Sequence, residues 1–191
     1  MKTNRSLGLL AKRSYASYLA RLTAEKRIRS LKNWWNGAQY SLSTALVLIS
    51  IIFIAFPNAQ SKTVVVFLVL LSVLALVVSL VVSFLDYSAR ASAMFRDYRL
   101  LQAFSVKVES LVDTKARVSR QDLSRFQKEY DSIMDASENH RSIDHKIASS
   151  NNSGDGLPLK LVLISARPKA LPVVLIVIAV AITLISAWSI I

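Results

Sequence analysis

The fold class is decided by one uncharged segment, TVVVFLVLLSVLALVVSLVVSFL, which occupies residues 63–85. A helix of this length rises about 35 Å at 1.5 Å per residue, which is enough to cross a hydrocarbon core of roughly 30 Å. A segment this long and this apolar is not typical of the core of a soluble domain. The chain is therefore expected to be an all-α membrane protein.

Two further apolar segments flank this one. Residues 41–56 carry no charge and end at Pro57, and residues 171–191 are also uncharged. Because only a short polar stretch separates the first two segments, they predict a transmembrane helical hairpin that turns at Pro57 and Asn58. Residues 171–191 predict a third, C-terminal transmembrane helix. About forty residues precede the first segment, which is too many for a cleaved signal peptide.

Charge patterning predicts the orientation. The chain is 53% hydrophobic with a formal net charge of +12 and a mean hydropathy of +0.41. Residues 1–40 contain nine Lys or Arg against one acidic residue, and residues 86–170 contain fourteen Lys or Arg. The positive-inside rule places both segments in the cytosol.

The composition argues against an enzyme. The chain contains no Cys, which excludes disulfides, thiolate metal sites and a Cys nucleophile. The apolar segments carry no paired carboxylates or metal ligands, and no nucleophile with an oxyanion site is recognisable. We therefore expect no catalytic residue, no cofactor and no metal site.

Five segments follow from these patterns. They are a basic cytosolic amphipathic helix in residues 1–40, the transmembrane hairpin in 41–85, a cytosolic antiparallel helical hairpin in 86–148, a linker and juxtamembrane segment in 149–170, and the third span in 171–191. Because no Pro or Gly interrupts residues 63–116, the second span is expected to continue as one helix into the cytosol. Residues 149–156 have the composition of a flexible linker.

The N-terminal helix is predicted to be amphipathic. Ala24, Ile28, Leu31 and Trp35 recur at intervals of four, three and four residues, so they share one face. This face favours packing on neighbouring helices while cations lie at lipid headgroups; the alternative is a sensor of anionic lipid charge. The candidate lipid-surface anchors are Lys26, Arg27, Arg29, Lys32, Trp34 and Trp35.

Two heptad seams predict the cytosolic hairpin. The first runs along residues 91–112, and the second follows Ser119, which with Asp122 has the spacing of a helix N-cap. The two seams can face each other in an antiparallel pair. The seam residues are Met94, Tyr98, Leu101, Val108, Val112, Leu123, Phe126, Tyr130 and Ile133.

The second seam ends in polar residues. His140 and Asp144 lie four residues apart on one helix face, beside Asn139. This pattern favours interhelical hydrogen bonds that fix the register, and the alternative is a gate or a pH sensor. Two ligands do not make a metal site.

Small residues line one face of each of two spans. The candidate pore or packing faces consist of Ser72, Ala75, Ser79 and Ser83 on the second span and Ala179, Thr183 and Ala187 on the third. Small residues allow membrane helices to approach closely. Alternatively, the hydroxyl groups line a pore after assembly, because polar groups at membrane depth must face protein or water.

These features together resemble a known family. A basic helix ends in Trp34 and Trp35, a tight two-span hairpin follows, and two cytosolic helices come next, the second carrying Asn139, His140 and Asp144. This order resembles the SLATT domains, two-span membrane effectors of bacterial conflict systems, over residues 15–150. The third span is an addition to that pattern.

The resemblance implies a function. It implies an antiphage effector that oligomerises and forms a pore or disrupts the inner membrane when a partner or a ligand triggers it. It also implies a separate sensor protein, such as a nucleotide-signalling enzyme or a reverse transcriptase. Beyond these, we expect the anionic lipids of the inner leaflet and further copies of the chain as partners.

A different class of function competes with this one. The chain could instead be a membrane-anchored scaffold that docks a cytosolic partner on residues 86–148 and forms no pore. The basic segments could hold nucleic acid electrostatically. However, cations beside a membrane are expected without it, so nucleic acid is not an expected partner.

Overall fold

The described part of the chain is helical. A computed structural model describes residues 2–56, 62–115, 117–135, 142–153 and 158–188, and these contain no β-strand. The helices are α1 (Lys2–Ala55), α2 (Lys62–Leu85), α3 (Tyr87–Asp113), α4 (Arg120–Asp135), α5 (Ser142–Ser153) and α6 (Leu159–Trp188). Three stretches are long and apolar enough to cross a membrane, namely Asn4–Ala55, Val65–Asp113 and Leu159–Trp188. The all-α class is confirmed.

The helices form two compact units. Unit 1 comprises Met1–Ile28 and Ser88–Ile164, and unit 2 comprises Arg29–Tyr87 and Ser165–Ile191. Helices α1 and α6 therefore each contribute one part to unit 1 and the other part to unit 2. The boundaries between the units lie within α1, at the start of α3 and within α6.

The core of unit 1 is built from three helices. Its buried residues are Leu7 and Leu10 from α1, Leu101, Phe104 and Val108 from α3, and Tyr130 from α4. The seams predicted on α3 and α4 do pack together, and the ring centroids of Phe104 and Tyr130 lie 5.9 Å apart. The start of α1 is a third member of this core, which the seam pattern alone did not indicate.

Helix α4 begins at the predicted N-cap. The Ser119 hydroxyl donates to Asp122 Oδ2 at 2.6 Å, the Ser119 backbone N–H donates to the same oxygen at 3.2 Å, and the Asp122 N–H donates to Ser119 Oγ at 3.1 Å. This reciprocal pair satisfies N–H groups that the first helical turn would leave without partners. The two hydrogen bonds from Ser119, that of the hydroxyl first, lower the pKa of the Asp122 carboxyl.

The cap predicts a pH-dependent loss of stability. The pKa of the Asp122 carboxyl is lower in the folded chain than in the unfolded chain. The ionised carboxyl therefore stabilises the fold at pH values above the ordinary Asp pKa of about 3.9. This stabilisation is lost as the pH falls through the lower pKa of the folded chain. Purified wild type should melt at a higher temperature than Asp122→Asn at neutral pH, and this difference should vanish in acid. Asp131→Asn, a change on the same helix, is the control. A difference that persists after Asp122 is protonated would contradict the assignment.

One predicted helix is interrupted. The sequence predicts a single helix over residues 63–116, whereas α2 ends at Leu85 and α3 begins at Tyr87, with Asp86 between them at a φ of 38°. Asp is one of the few non-Gly residues that adopt the left-handed region readily, so a helix can break there without Pro or Gly. Helix α3 ends at Asp113, and Lys115 also has a positive φ of 50°.

The predicted linker is partly helical. Residues 149–153 belong to α5, because Ala148 is buried in unit 1 and packing of this kind outweighs the weak helix propensity of Ser and Asn. Helix α6 begins at Leu159, well before the predicted start of the third span at residue 171. The predicted turn at Pro57 and Asn58 lies outside the described residues.

Helix α6 contains two prolines. The Pro158 carbonyl accepts hydrogen bonds from the N–H groups of Leu161 at 2.8 Å and Val162 at 3.2 Å, which starts the helix. Pro168 and Pro172 lie inside it, and Pro172 is buried. Proline is tolerated in apolar helices where neighbouring groups satisfy the freed carbonyls, so these residues do not end α6.

Unit 2 is a three-helix apolar cluster. Its buried residues are Trp35, Ala38, Leu42, Ala45 and Ile49 of α1, Leu71 and Val78 of α2, and Leu175 and Ala179 of α6. Large apolar side chains such as Phe84 and Ile54 are more than 80% exposed on its outside. An exposed apolar surface of this kind is typical of helices that lipid surrounds.

Candidate functional site

Polar side chains of α1 connect it to the other helices of unit 1. Arg27 contacts Asp144 on α5, Arg21 contacts Asp97 on α3, and Ser17 contacts Tyr130 on α4. We call these three contacts the α1 polar network. It is the candidate gating site, because it contains the only member of the predicted polar gate that the structure describes.

The pair of Arg27 and Asp144 has the strongest geometry in the network. Arg27 Nε donates to Asp144 Oδ1 at 2.8 Å, and Arg27 Nη2 donates to Oδ2 at 3.0 Å. The Asp144 side chain is fully buried, and that of Arg27 is 13% exposed. Asp144 also lies in the first turn of α5, where the helix dipole favours a negative charge. A buried bidentate pair of this kind fixes α5 on α1.

The structure does not place Arg27 at the surface. Its position in the sequence predicts an anchor at the lipid surface, but its guanidinium is engaged with a carboxylate inside unit 1. The physical reason is that Asp144, 117 residues away in the sequence, is buried and needs a cationic partner. The neighbouring gate residues Asn139 and His140 lie outside the described part of the chain.

Arg21 is buried with incomplete hydrogen bonding. Its side chain is 1% exposed, Nη1 lies 3.5 Å from Asp97 Oδ2, and Nη2 donates to the Met134 sulfur at 3.5 Å. Within the described residues, Nε and Nη1 have no hydrogen-bond partner. A desolvated guanidinium with weak partners destabilises the packed state. The sequence did signal this burial, because Arg21 lies seven residues before the buried Ile28, on the same helix face.

Tyr130 links α1 to α4. Its hydroxyl lies 2.8 Å from Ser17 Oγ, and the Arg13 guanidinium carbon lies 5.1 Å from the centre of its ring. The side chain is 1% exposed, so both polar contacts are shielded from water. A buried tyrosine hydroxyl needs a partner, and Ser17 supplies it.

Most predicted seam residues are buried or partly buried in unit 1. Met94, Leu101, Val108 and Tyr130 are buried; Tyr98, Leu123, Phe126 and Ile133 are partly buried. Val112, in contrast, is 37% exposed, and Leu111 packs on the core beside it. A straight helix has 3.6 residues per turn, so a strict heptad drifts off the contact face by the end of α3.

The predicted lipid anchors are divided between the surface and the core. Lys26, Arg29 and Trp34 are exposed, and Lys32 is partly exposed. Trp35 is 7% exposed and belongs to the core of unit 2, because it shares the face of Ala38 and Leu42. The anchoring role stays a prediction for the exposed members.

The small-residue faces of unit 2 are partly packed and partly exposed. Ala179 is buried, whereas Ala75, Ser79 and Thr183 are partly buried. Ser72, Ser83 and Ala187 are exposed. Packing within unit 2 therefore covers only some residues of each face. The exposed residues are left for contacts outside the chain.

Several hydroxyl groups on these faces are satisfied within unit 2. Ser72 donates to the Val69 carbonyl at 2.7 Å, and Thr183 donates to the Ala179 carbonyl at 2.8 Å. Ser79 accepts a hydrogen bond at 3.3 Å from Gln39 Nε2, which joins α1 to α2. Gln39 is not among the predicted site residues, although a polar residue next to an apolar segment is a recognisable signal.

A cleft of about 350 Å³ lies between α1 and α6 in unit 2. Tyr40, Ser41, Thr44 and Thr183 bring hydroxyl groups to its lining. In the described residues, no group of three His, Cys, Asp or Glu side chains is placed to hold a metal.

The comparison with known proteins identifies one family. The model of the SMODS and SLOG-associating 2TM effector domain family 5 matches residues 7–190. The match is longer than the resemblance inferred from the sequence, which covered residues 15–150, and it includes the third apolar helix. No curated protein and no solved structure matches the chain.

Proposed function

Because the chain belongs to the SMODS and SLOG-associating 2TM effector domain family, we propose that it is a membrane effector of a bacterial antiphage system. It lies in the inner membrane with its N-terminus and residues 86–170 in the cytosol. When a partner or a ligand triggers it, it oligomerises and forms a pore or disrupts the membrane. The separate sensor is a protein such as a nucleotide-signalling enzyme or a reverse transcriptase.

The exposed apolar surface of the candidate spans carries this proposal. Only 22%, 11% and 17% of their most apolar windows are buried within the chain. Lipid can cover such a surface in a resting state, and other copies can cover it after triggering. Exposed Ser72 and Ser83 on α2 provide hydroxyl groups for a water-filled path once copies assemble.

The α1 polar network supports a triggered rather than a permanent activity. Arg21 destabilises the packed unit 1 through its incomplete hydrogen bonding, while Arg27 and Asp144 hold α5 in place. A trigger that releases α5 therefore has to break this buried ion pair. Activation then becomes a shift between two states that differ by a few contacts.

The first test is depolarisation in cells. The full chain is induced in bacteria, with the genes that neighbour it, and a potential-sensitive dye is followed by flow cytometry. Depolarisation should precede the loss of growth, because a pore collapses the potential before metabolism fails. Unchanged potential and unchanged growth under strong expression would refute the proposal.

A matched pair of variants tests the path itself. Ser83→Leu should reduce depolarisation at equal membrane abundance, because it replaces an exposed hydroxyl on α2 by an apolar group. Val73→Leu, at a position that is 53% exposed on the same helix, should leave depolarisation unchanged. Equal depolarisation by both variants would exclude Ser83 from the path.

The scaffold is a second candidate function. Leu100 and Val106 of α3 are 56% and 59% exposed, so unit 1 presents apolar side chains that a partner could cover. A stoichiometric partner that co-purifies with the chain, together with liposomes that show no conductance, would favour the scaffold over the pore.

A further inference from the structure

A cleft between α1 and α5 in unit 1 has no assigned role. Its volume is about 280 Å³. The inner part is apolar and is formed by Ala16, Leu19 and the buried Ala148. This volume is near the lower limit of small-molecule sites, which measure about 300–1,000 Å³. The cleft is therefore of a size that suits a small, compact ligand.

The rim of the cleft carries an ammonium group and an imidazole. Lys12 and His145 line it from α1 and α5, and no Asp or Glu is among the described residues that line it. Among the residues that the structure describes, neither Lys12 nor His145 makes a hydrogen bond or an ion pair. An ammonium group and an imidazole that are both available at one cleft favour an anionic ligand.

An aromatic side chain completes the lining. Tyr15 is 43% exposed at the cleft, and its ring contacts Tyr18 at a centroid distance of 6.0 Å in a tilted arrangement. An accessible ring beside a cationic group allows a planar ligand to stack while its charge is neutralised. Asn152 adds an amide that can both donate and accept hydrogen bonds.

We propose that this cleft binds a small phosphorylated ring compound of the size of a nucleoside monophosphate. Lys12 and His145 hold the phosphate, Tyr15 stacks on the ring, and Asn152 reads the ring edge. Such a ligand contacts both α1 and α5, the helices that Arg27 and Asp144 also join. Binding therefore stabilises the docked position of α5.

The experiment uses the full chain purified in detergent. Adenosine monophosphate is the probe, and binding is measured by calorimetry and by the shift in melting temperature. Adenosine and inorganic phosphate should each bind at least about tenfold more weakly than adenosine monophosphate. Adenosine lacks the phosphate that Lys12 and His145 would hold, and inorganic phosphate lacks the ring that would stack on Tyr15. Lys12→Met should weaken the binding of adenosine monophosphate by at least about tenfold, since it removes a charge-assisted contact.

The matched control is Lys128→Met, the same loss of charge at an exposed position of α4 outside the cleft. It should bind adenosine monophosphate like the wild type. Tyr15→Ala should weaken the binding of adenosine monophosphate and leave that of inorganic phosphate unchanged, which a general loss of structure would not do.

Two results would overturn the proposal. The first is that adenosine monophosphate does not bind, and the second is that Lys12→Met and Lys128→Met bind it equally. If dihexanoyl phosphatidic acid binds while adenosine monophosphate does not, the phosphate site belongs to a lipid headgroup. Binding is measured without reference to conductance, so this proposal and that of a pore can fail separately.

Discussion

Replacing Leu101 with Glu is expected to unfold unit 1. The Leu101 side chain is fully buried among Leu7, Phe104 and Val108. Removing a buried leucine costs about 2–5 kcal/mol, and the carboxylate adds the cost of burying a charge without a partner. The total exceeds about 4 kcal/mol, which is a large share of the stability of an ordinary domain. Circular dichroism and limited proteolysis of the purified chain would measure this loss.

The adjacent residue provides the control. Leu100 is 56% exposed, so Leu100→Glu introduces the same charge at almost the same place and should change the stability by less than about 0.5 kcal/mol. Val108→Glu and Val106→Glu form a second pair with the same contrast, because Val108 is fully buried and Val106 is 59% exposed. If the buried and exposed variants melt alike, the assigned core of unit 1 is incorrect.

These variants also separate two roles of the α3 seam. The heptad pattern is compatible with a seam between copies, but Leu101 and Val108 are buried within one chain. Loss of the seam should therefore lower membrane abundance and protease resistance as well as crosslinking between copies. Crosslinking that disappears from a chain with wild-type protease resistance would instead place the seam between copies.

The sequence pattern of the buried face of α1 extends beyond the four residues of the predicted amphipathic face. Ala24, Ile28, Leu31 and Trp35 are all buried, as their spacing predicts. The same alternation of three and four residues runs along most of the helix. Its members are Leu7, Leu10, Ser14, Ser17, Arg21, Ala24, Ile28, Leu31, Trp35, Ala38, Leu42, Ala45 and Ile49. Its first half is hidden from a hydrophobicity pattern, because Ser14, Ser17 and Arg21 interrupt the apolar series.

Other features depend on tertiary contacts that local patterns do not encode. The sequence pattern predicts Asp144 as a polar residue in a seam, but its partner Arg27 is 117 positions away. Nothing in the spacing around either residue specifies the other. Likewise, Asp86 breaks the helix at a single residue, in a segment whose local propensity favours continuity. Periodicity predicts which face is buried, whereas it does not predict which helix covers it.

Breaking the pair of Arg27 and Asp144 is expected to release α5. Arg27→Ala leaves the fully buried Asp144 carboxylate without its guanidinium and should cost about 3–5 kcal/mol. Asp144→Ala should cost less, because the Arg27 side chain is already 13% exposed and can reach water. Exchanging the charges, with Arg27→Asp and Asp144→Arg in one chain, should recover part of the loss. The free energy of unfolding of the purified variants would measure each step.

An exposed ion pair of unit 1 provides a comparison for the buried pair of Arg27 and Asp144. Lys107 Nζ lies 3.0 Å from Glu129 Oε2, but the two side chains are 50% and 39% exposed, so their coupling should be below about 1 kcal/mol. Both pairs join two helices of unit 1, and they differ in burial. A double-mutant cycle on each pair gives its coupling energy, and the coupling of the buried pair should be the larger.

The same variants connect the buried pair to function. If a trigger acts by releasing α5, Asp144→Ala should depolarise cells at a lower level of expression than the wild type, whereas Lys107→Ala should not. A chain that only loses stability would accumulate less and would depolarise cells more weakly at every level of expression. The two explanations therefore predict opposite changes in depolarisation by Asp144→Ala. Loss of a contact that restrains activity increases depolarisation, whereas loss of a purely structural contact decreases it. Asp144→Ala cells that keep their potential at wild-type protein abundance would remove the pair from the triggering mechanism.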